Sequence, residues 1–480
     1  MKLWEAPPGD AAVADEPGRR ILWSREGWVR PGHRGGEGPA VPAPQYTESA
    51  ARTPPVPELA AVRIDPAAPV HAIIDARDVE IVFQPVLDAE SRQVVGFEAL
   101  SRGPEGPLRA PRRLFAAARA VGRAGELDWI CRAAAFRAFL DAALHPSVSL
   151  LVNVESDSLI TPCPEDLLEV IWAAENRLRV FIDIAGESLL RQPVEVLESV
   201  RRARAAGWGV VLDDLEFSAA AVSLLPTLEP DVIRLDQRAV RQGSDRVAAA
   251  LAAAFTEAER AGAAFLVDNV EDAPGSLARS APAGYLQGRL LGVEGALPRS
   301  VPAPERPIPL RSAGTTGRTP WEVVSESSAL SLSDVPEESL DRLMRQFVTQ
   351  AGHGPDLPVV GVLSSTYRAT SWQTISRYRS ALENCPVSVL VGRDMAVFQD
   401  WRTRGVEPPD GHRLTGELCF VALSSTHAAV LVARPTAVRG GRAVAWHVGM
   451  SHDPMTCRTV MRELLHHLDR LDGGSMSPSR

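Results

Sequence analysis

The sequence predicts an α/β protein made of a TIM-type (β/α)8 barrel and a second, smaller α/β domain. Apolar, strand-like runs alternate with Ala-rich helical segments about eight times over roughly 230 residues, which is the size and rhythm of such a barrel. These runs are almost continuously apolar, as expected of parallel strands buried on both faces. A similar alternation resumes after a segment rich in Pro, Arg, Ser and Gly, and it predicts the second domain.

The barrel elements can be followed in order from residue 79. The runs IVFQPVLD and QVVGFEALSR are joined by a short polar turn, which predicts a hairpin whose first strand can run antiparallel to the others. Helices are predicted over 111–121, 126–144 and 187–206, and the first begins with a proline at a favoured position. The remaining strands are predicted in SLLVNVE, RVFIDIAG, GVVLDDL, DVIRLD, AFLVDNVE and GYLQGRLLG.

Composition also divides the chain into parts. Residues 1–69 are rich in Pro, Gly, Arg and Trp without periodicity, so we expect them to be disordered. The barrel is assigned to residues 70–298, a linker to 299–320 and the second domain to 321–473. The arginines around Trp23 and Trp28 could dock on an anionic surface or in a partner's groove, but a solvated tail is the simpler interpretation.

Charge and cysteine usage exclude several classes of protein. The net charge of −9 and the pI near 5.7 argue against a general nucleic-acid binder. No apolar run is long enough to span a bilayer, and the N-terminus lacks a signal-peptide pattern, so we expect a soluble, cytoplasmic protein. The five cysteines are scattered without a CxxC pair, which predicts reduced thiols and no zinc site. Lys2 is the only lysine, so nearly all basic side chains are arginines.

Polar residues fall at or near the carboxyl ends of the predicted strands. In a barrel these ends all face one mouth, where barrel enzymes keep their chemistry. A single buried acid can be a structural hydrogen-bonding group, but a ring of acids needs a positive charge to neutralise it. Oxygen ligands without Cys or His select a hard cation such as Mg²⁺, Mn²⁺ or Ca²⁺, and paired metals are typical of phosphoester cleavage. The ring consists of Glu98, Asn153, Asp183, Asp213, Asp214, Asp236, Asp268 and Gln287.

Short motifs in the same region resemble a known family. They are Gln84-Pro85, the segment EALSR beginning at Glu98, the pair DD at Asp213, RLD ending at Asp236, VDNVED around Glu271, and QG at Gln287. In this order and spacing they resemble the EAL domain, over residues 79–298. The resemblance implies a TIM barrel that hydrolyses the bacterial second messenger cyclic di-GMP to the linear dinucleotide with Mg²⁺ or Mn²⁺.

The resemblance also implies roles for individual residues. An arginine in the EALSR segment would pair with a ligand phosphate, for which a guanidinium fork is suited. Gln84, near the start of the matching region, would contact guanine. By this correspondence the metal ligands are Glu98, Asn153, Asp183, Asp213 and Asp214, the catalytic residues are Arg234, Asp268, Glu271 and Gln287, and the ligand-binding residues are Gln84, Arg102 and Asp236.

Several of these positions depart from the family pattern. Asp183 and Asp268 stand where the family has glutamates, so each carboxylate is one methylene shorter. Arg234 replaces a catalytic lysine, and the swap is not conservative because a guanidinium is planar and does not titrate. Glu216 and Ser218 replace glycines of the family's DDFGTG loop. These changes predict a receptor that binds cyclic di-GMP with hydrolysis lost or reduced; an active phosphodiesterase and a pure interaction scaffold are the alternatives.

The second domain carries a weaker resemblance. Helices are predicted over 340–350, 372–382 and 457–471, and strands in PVVGVLSS, PVSVLVGR, ELCFVALSS, HAAVLVARP and RAVAWHVGM. Their order is similar to the DICT domain, a sensory module found beside cyclic di-GMP enzymes, which implies an unknown sensory ligand. The receptor hypothesis adds a protein partner that detects occupancy, and the EAL resemblance implies a possible homodimer, because EAL domains commonly pair. Before Pro454, the pair His452 and Asp453 could be catalytic, but a helix cap is the simpler interpretation. Side chains that could line a ligand pocket or simply pack are Trp372, Arg377 and Tyr378.

Overall fold

The structure is a computed structural model that describes part of the chain. The described residues belong to one compact unit, 64–480. The predicted N-terminal tail, Asp214, the loop with Glu216 and Ser218, and the predicted helix 372–382 with its candidate pocket residues lie outside the described ranges. The described ranges are 68–159, 161–213, 219–237, 245–271, 283–311, 317–327, 329–352, 358–367, 385–393, 395–398, 400 and 402–472.

Eight strands close into a barrel in sequence order, which confirms the predicted fold class. Strand β1 is antiparallel to both β2 and β8, whereas the other neighbours in the barrel are parallel. The first strand therefore enters as half of a hairpin, as its short polar turn predicts. The strands are β1 Glu80–Asp88, β2 Val94–Arg102, β3 Ser149–Val154, β4 Arg179–Ala185, β5 Gly209–Asp213, β6 Val232–Asp236, β7 Ala264–Asp268 and β8 Ala283–Leu286.

The helices around the barrel differ from the prediction in four places. The single helix predicted over 187–206 is wrong: it is two helices that meet at Gln192, because Pro193 lacks an N–H and disfavours a helical residue before it. Helices α1, α4 and α8 were not predicted. The helices described are α1 Ala68–Ala76, α2 Pro111–Ala120, α3 Ala124–Ala142, α4 Leu168–Arg177, α5 Gly186–Arg191, α6 Pro193–Ala205, α7 Ala219–Leu228 and α8 Asp245–Ala261.

The segment after the barrel packs on the barrel. Ile308 is fully buried in a cluster with side chains from the amino-terminal halves of parallel strands, such as Val95 and Val232. The backbone N–H of Arg311 donates to Asp231 Oδ1 at 2.8 Å. The part of the predicted linker up to residue 311 is therefore held against the end of the barrel opposite the mouth.

The C-terminal region is a second α/β domain built on a seven-stranded sheet of order β12-β11-β10-β13-β14-β15-β9. The pairs β10–β11 and β11–β12 are parallel and the other pairs are antiparallel. The elements are α9 Pro320–Glu326, β9 Leu330–Pro336, α10 Glu337–Ala351, β10 Val359–Leu363, β11 Ser388–Val391, β12 Thr403–Val406, β13 Leu418–Leu423, β14 Ala428–Arg439, β15 Arg442–Ser451 and α11 Pro454–Asp472. Strands β9 and β12 and helix α9 were not predicted.

The barrel and the second sheet share one hydrophobic core. Helix α7 is apolar on all sides, and its Leu225 is fully buried. The cluster that contains Leu225 also contains Val421 of β13 and Leu464 of α11. A buried ion pair between Arg458 of α11 and Glu257 of α8 joins the same two parts. No helix in the described ranges is long and apolar enough to cross a membrane.

Candidate functional site at the barrel mouth

Strands β2 to β5 bring four of the predicted residues to one end of the barrel. Asn153 and Asp183 are direct neighbours in the parallel ladder between β3 and β4, and Asp213 ends β5. Glu98 lies on β2, and its Oε1 accepts a hydrogen bond from Asn153 Nδ2 at 3.1 Å. The structure thus places these three acids and one amide together at one mouth.

The guanidinium of Arg234 lies among three of these carboxylates. Its Nη1 donates to Glu98 Oε1 at 3.3 Å and to Asp213 Oδ2 at 3.2 Å. Its Nη2 lies 2.5 Å from Asp183 Oδ2, and the Arg234 side chain is only 4% exposed. Burial alone would lower the pKa of Arg234, but Asp183 and Glu98 raise it well above its usual value. Arg234 is thus a permanent positive charge at the centre of the acid ring.

Glu98 is held in the ionised form. Burial acts to raise its pKa, but the charge of Arg234 and the hydrogen bonds that it accepts bring the pKa below its usual value. One of these bonds comes from Gln287 Nε2, 2.7 Å from Glu98 Oε2. Gln287, which follows β8, is fully buried, so the last strand also contributes to this mouth.

Asp183 is held differently. Burial raises its pKa well above the usual range, with further contributions from Asp213 and Glu98, and Arg234 opposes them. Neither carboxylate oxygen of Asp183 accepts a well-directed hydrogen bond within the described part of the chain, although Oδ2 is in ion-pair contact with Arg234. The pKa values of these two acids are therefore shifted in opposite directions. The difference arises because Glu98 accepts hydrogen bonds that Asp183 lacks.

Whether a divalent cation fits the acid ring depends on the side chains that face it. Carboxylate and amide oxygens are present, but the guanidinium of Arg234 contacts Glu98, Asp183 and Asp213 at once. In the described ranges, no group of three or more His, Cys, Asp and Glu side chains is arranged to hold a metal ion. As they stand, the described residues fit a guanidinium better than a metal.

The ends of β6 and β7 form a second part of the mouth. Burial raises the pKa of Asp268 to about 6, while Arg234 and the backbone N–H of Asn269 oppose this rise. Asn269 has a φ of 56°, and its side chain donates to Asp236 Oδ2 at 3.2 Å. Asn269 was not predicted as a site residue. The available signal was an Asn directly after the acid that ends a strand, because Asn tolerates a positive φ better than most residues. Glu271 is exposed.

The two residues expected to contact a ligand lie at the edge of the ring. Gln84 on β1 accepts a hydrogen bond from Gln287 Nε2 at 3.3 Å, and its own Nε2 donates to the carbonyl of Gly292 at 3.2 Å. Arg102 at the end of β2 forms an ion pair with Glu294. Glu294 was not predicted from the sequence, since a lone glutamate in a loop gives no signal.

A cavity of about 600 Å³ adjoins this edge. It extends from Glu98 and Asn153 between the ends of β2 and β3 and the helices α2 and α3. Phe115 and Val152 provide part of its apolar lining. The arginines that line it are Arg102, Arg112, Arg119 and Arg132. Three of these arginines are paired with acids, namely Arg102 with Glu294, Arg119 with Glu155 and Arg132 with Asp128. The space is large enough for a small organic ligand.

In the second domain, His452 and Asp453 make structural contacts. Asp453 Oδ2 accepts hydrogen bonds from the backbone N–H of Thr456 at 2.8 Å and from its hydroxyl at 2.7 Å. This is the geometry of a helix cap at the start of α11, so the simpler interpretation of Asp453 is confirmed. His452 Nδ1 lies 3.1 Å from the carbonyl of Ala428, and its ring stacks on Phe347.

Comparison with known proteins finds similarity in the barrel region. The EAL domain family model matches residues 69–293. The uncharacterized protein Rv1354c of Mycobacterium tuberculosis is 28% identical over 176 residues, which cover 35% of this chain and 28% of that protein. The probable cyclic di-GMP phosphodiesterase PdeB of Escherichia coli is 26% identical over 177 residues, which cover 35% of this chain and 34% of that protein. In both cases only about a third of the relative is matched.

A similar fold occurs among solved structures. The FimX EAL domain from Pseudomonas aeruginosa bound to c-di-GMP is 19% identical and superposes with a TM-score of 0.39. The superposition covers 50% of this chain and 100% of that one. Likeness of this degree leaves the ligand of the present chain undefined.

Proposed function

We propose that residues 69–293, which the EAL domain model matches, form an EAL domain that binds cyclic di-GMP at the barrel mouth as a receptor whose hydrolytic activity is lost or strongly reduced. The matched relative in Escherichia coli is described as a probable cyclic di-GMP phosphodiesterase, which supports the same ligand class. The proposal extends to Gln84 and Arg102 as ligand contacts. A guanidinium fork suits a phosphodiester, and a glutamine amide can bond to the edge of a base.

The observation that carries the proposal is the position of Arg234. Its guanidinium contacts Glu98, Asp183 and Asp213, three of the five side chains expected to bind metal. A divalent cation entering this ring would meet a permanent positive charge and would have to displace a buried ion pair. Hydrolysis needs reacting groups placed within about 1 Å, whereas binding tolerates more. The site is therefore better suited to holding a phosphodiester than to cleaving it.

The second candidate function is a Mg²⁺- or Mn²⁺-dependent cyclic di-GMP phosphodiesterase regulated by the C-terminal domain. One observation favours it: the pKa of Asp268 is about 6, which suits a general base near neutral pH. The intact Glu98 and Gln287 would also serve such an enzyme. In this alternative, Arg234 moves away from the acids when a metal ion binds.

Incubation of the purified chain with cyclic di-GMP separates the two candidates. We expect calorimetric binding with or without Mn²⁺, and no linear dinucleotide by chromatography after prolonged incubation. Rapid formation of the linear product with Mn²⁺ would establish the phosphodiesterase instead. Absence of both binding and product would leave only an interaction scaffold.

Restoring the family residues provides a matched control. Arg234→Lys combined with Asp183→Glu and Asp268→Glu removes the bulky guanidinium and lengthens both carboxylates. If these three departures are the reason for low turnover, the triple variant should form linear product at a clearly higher rate than the parent chain. A triple variant that binds the ligand but remains inactive would assign the loss to the altered loop at 214–218.

We infer in addition that the C-terminal domain is sensory and is coupled to the mouth through α7. This helix follows the loop after Asp213, and its Leu225 is buried in the core shared with the second sheet. A shift of that sheet would be transmitted to the strand end that carries Asp213. The proposal includes a cytoplasmic location, a small sensory ligand, a protein partner that detects occupancy and a homodimer.

A further inference from the structure

We propose that Glu294 is an internal competitor for the ligand phosphate, because it occupies the guanidinium of Arg102 in the free protein and thereby lowers the affinity of the mouth. This inference rests on the proposed cyclic di-GMP binding and defines how the same site is tuned. The chemistry is an exchange of anions: the carboxylate of Glu294 leaves the guanidinium when a phosphodiester oxygen arrives.

The contact between the two side chains supports the exchange. Nη2 of Arg102 forms the ion pair with Glu294 Oε2, while Nη1 of Arg102 donates to the carbonyl of Ser101 at 2.8 Å. The Arg102 side chain is 16% exposed and that of Glu294 is 48% exposed. Arg102 is thus fixed at the wall of the cavity, whereas Glu294 can turn into water when another anion takes its place.

The backbone around Glu294 is fastened to β1. The N–H of Phe83 donates to the carbonyl of Gly295 at 2.7 Å, and the N–H of Gly295 donates back to the carbonyl of Phe83 at 3.0 Å. Two residues before Glu294, the carbonyl of Gly292 accepts a hydrogen bond from Gln84 Nε2. This anchoring keeps the carboxylate of Glu294 close to Arg102. An incoming ligand phosphate must therefore displace this carboxylate from the guanidinium.

The size of the effect follows from the exposure of the pair. Exposed ion pairs are weak, and the removal of one that competes with a ligand should tighten binding by about threefold to fivefold. Glu294→Gln keeps the size of the side chain and removes its charge. If Glu294 instead oriented Arg102 for the ligand, the same substitution would weaken binding, so the sign of the change distinguishes competition from positioning.

Calorimetry with the full chain and cyclic di-GMP, without divalent metal, tests the proposal. The variants are Glu294→Gln, Arg102→Gln, the double variant, and Glu305→Gln as a control at an exposed glutamate on the following segment. Thermal unfolding confirms that each variant is folded. We expect tighter binding only in Glu294→Gln, and no gain from this substitution when Arg102 is already replaced.

The outcomes separate this inference from the function on which it rests. Binding by the parent chain with unchanged or weaker binding by Glu294→Gln overturns the competition and leaves the receptor proposal standing. A gain that persists in the double variant also overturns it, because the effect would then not pass through Arg102. Absence of binding in the parent chain and in Glu294→Gln overturns both.

Discussion

Arg234 and Asp183 form a buried ion pair in which Nη2 of the arginine lies 2.5 Å from Oδ2 of the aspartate, with side-chain exposures of 4% and 0%. The pair lies at the barrel mouth, where Arg234 also contacts Glu98 and Asp213. Buried carboxylates repel one another unless a positive charge lies between them, and here the chain itself supplies that charge. Stability and cation binding are therefore linked at this site.

Arg234→Met should make the stability of the protein depend on a bound cation. The substitution leaves three acids without their counter-charge, so we expect the free energy of unfolding at pH 8 to fall by about 3–5 kcal/mol. Mn²⁺ should then raise the melting temperature of the variant, because it can neutralise the same acids, and should leave that of the parent chain nearly unchanged. Differential scanning calorimetry with and without Mn²⁺ measures both effects.

Arg342→Met provides the control for this substitution. The Arg342 side chain is 70% exposed and lies on α10 of the second domain. It should tolerate methionine without a Mn²⁺ effect. An equal Mn²⁺ stabilisation of the parent chain and of Arg234→Met would contradict the view that the guanidinium takes the place of a cation.

Asp268→Asn should change the pH dependence of stability. The folded pKa of about 6 lies above the ordinary value of 3.8, so the folded protein binds this proton more tightly than the unfolded chain does. The stabilisation is fully present below pH 4 and is lost as the pH rises through 6. Above that pH the ionised carboxylate carries a burial cost of ~3 kcal/mol, which asparagine avoids.

We therefore expect Asp268→Asn to be more stable than the parent chain at pH 7.5 and equal to it near pH 4. Urea unfolding at several pH values measures the difference. Glu259→Gln is the control, because Glu259 is exposed on α8 and is not one of the mouth residues. A difference between Asp268→Asn and the parent chain that stays constant across this range would show that Asp268 does not titrate there.

The barrel could be predicted because its strands are continuously apolar and end in polar residues. That rule places Glu98 and Asp183 at one mouth without any knowledge of side-chain geometry. It cannot predict where a long side chain reaches, so the central position of the Arg234 guanidinium had to come from the structure. The ion pair of Arg102 with Glu294 was hidden for the same reason, since nearly two hundred residues separate the partners.

The missed elements are short or lie at the edge of the sheet. Strand β9 alternates Leu330 and Leu332 with serines, but it is an edge strand that exposes every residue except Val335, so it lacks the continuous apolar run that marks the buried strands. Strand β12, Thr403–Val406, has four residues and contains a glycine, which disfavours a strand interior. Both segments form strands because they pair with neighbouring strands of the sheet. The local sequence does not specify this pairing.

Glu257→Gln should weaken the junction between the barrel and the second domain. The partner, Arg458, is 2% exposed, and the substitution leaves its charge buried without a counter-ion. We expect a loss of about 3–5 kcal/mol in the free energy of unfolding. The matched control is Glu259→Gln, which changes an exposed glutamate on the same helix α8. Chemical unfolding of both variants measures the difference, and equal small losses would show that the pair contributes little.

Gly288→Ala should disturb the mouth through its backbone. Gly288 has a φ of 148°, and a Cβ atom there would lie 2.4 Å from the backbone nitrogen of Val270. The neighbouring Gln287 accepts a hydrogen bond from that same N–H of Val270 at 3.1 Å, so relief of the clash moves the residue that donates to Glu98. We expect a destabilisation of more than about 1 kcal/mol and weaker binding of cyclic di-GMP.

Gly295→Ala separates this effect from a general loss of glycine. Gly295 does not have a positive φ, and an added Cβ would meet no atom within 4 Å, so alanine should be tolerated. Thermal unfolding and calorimetric titration of the two variants side by side make the comparison. If Gly288→Ala melts and binds like Gly295→Ala, the close approach of Gly288 to Val270 does not constrain Gln287, because the backbone can then accommodate a side chain without moving the mouth.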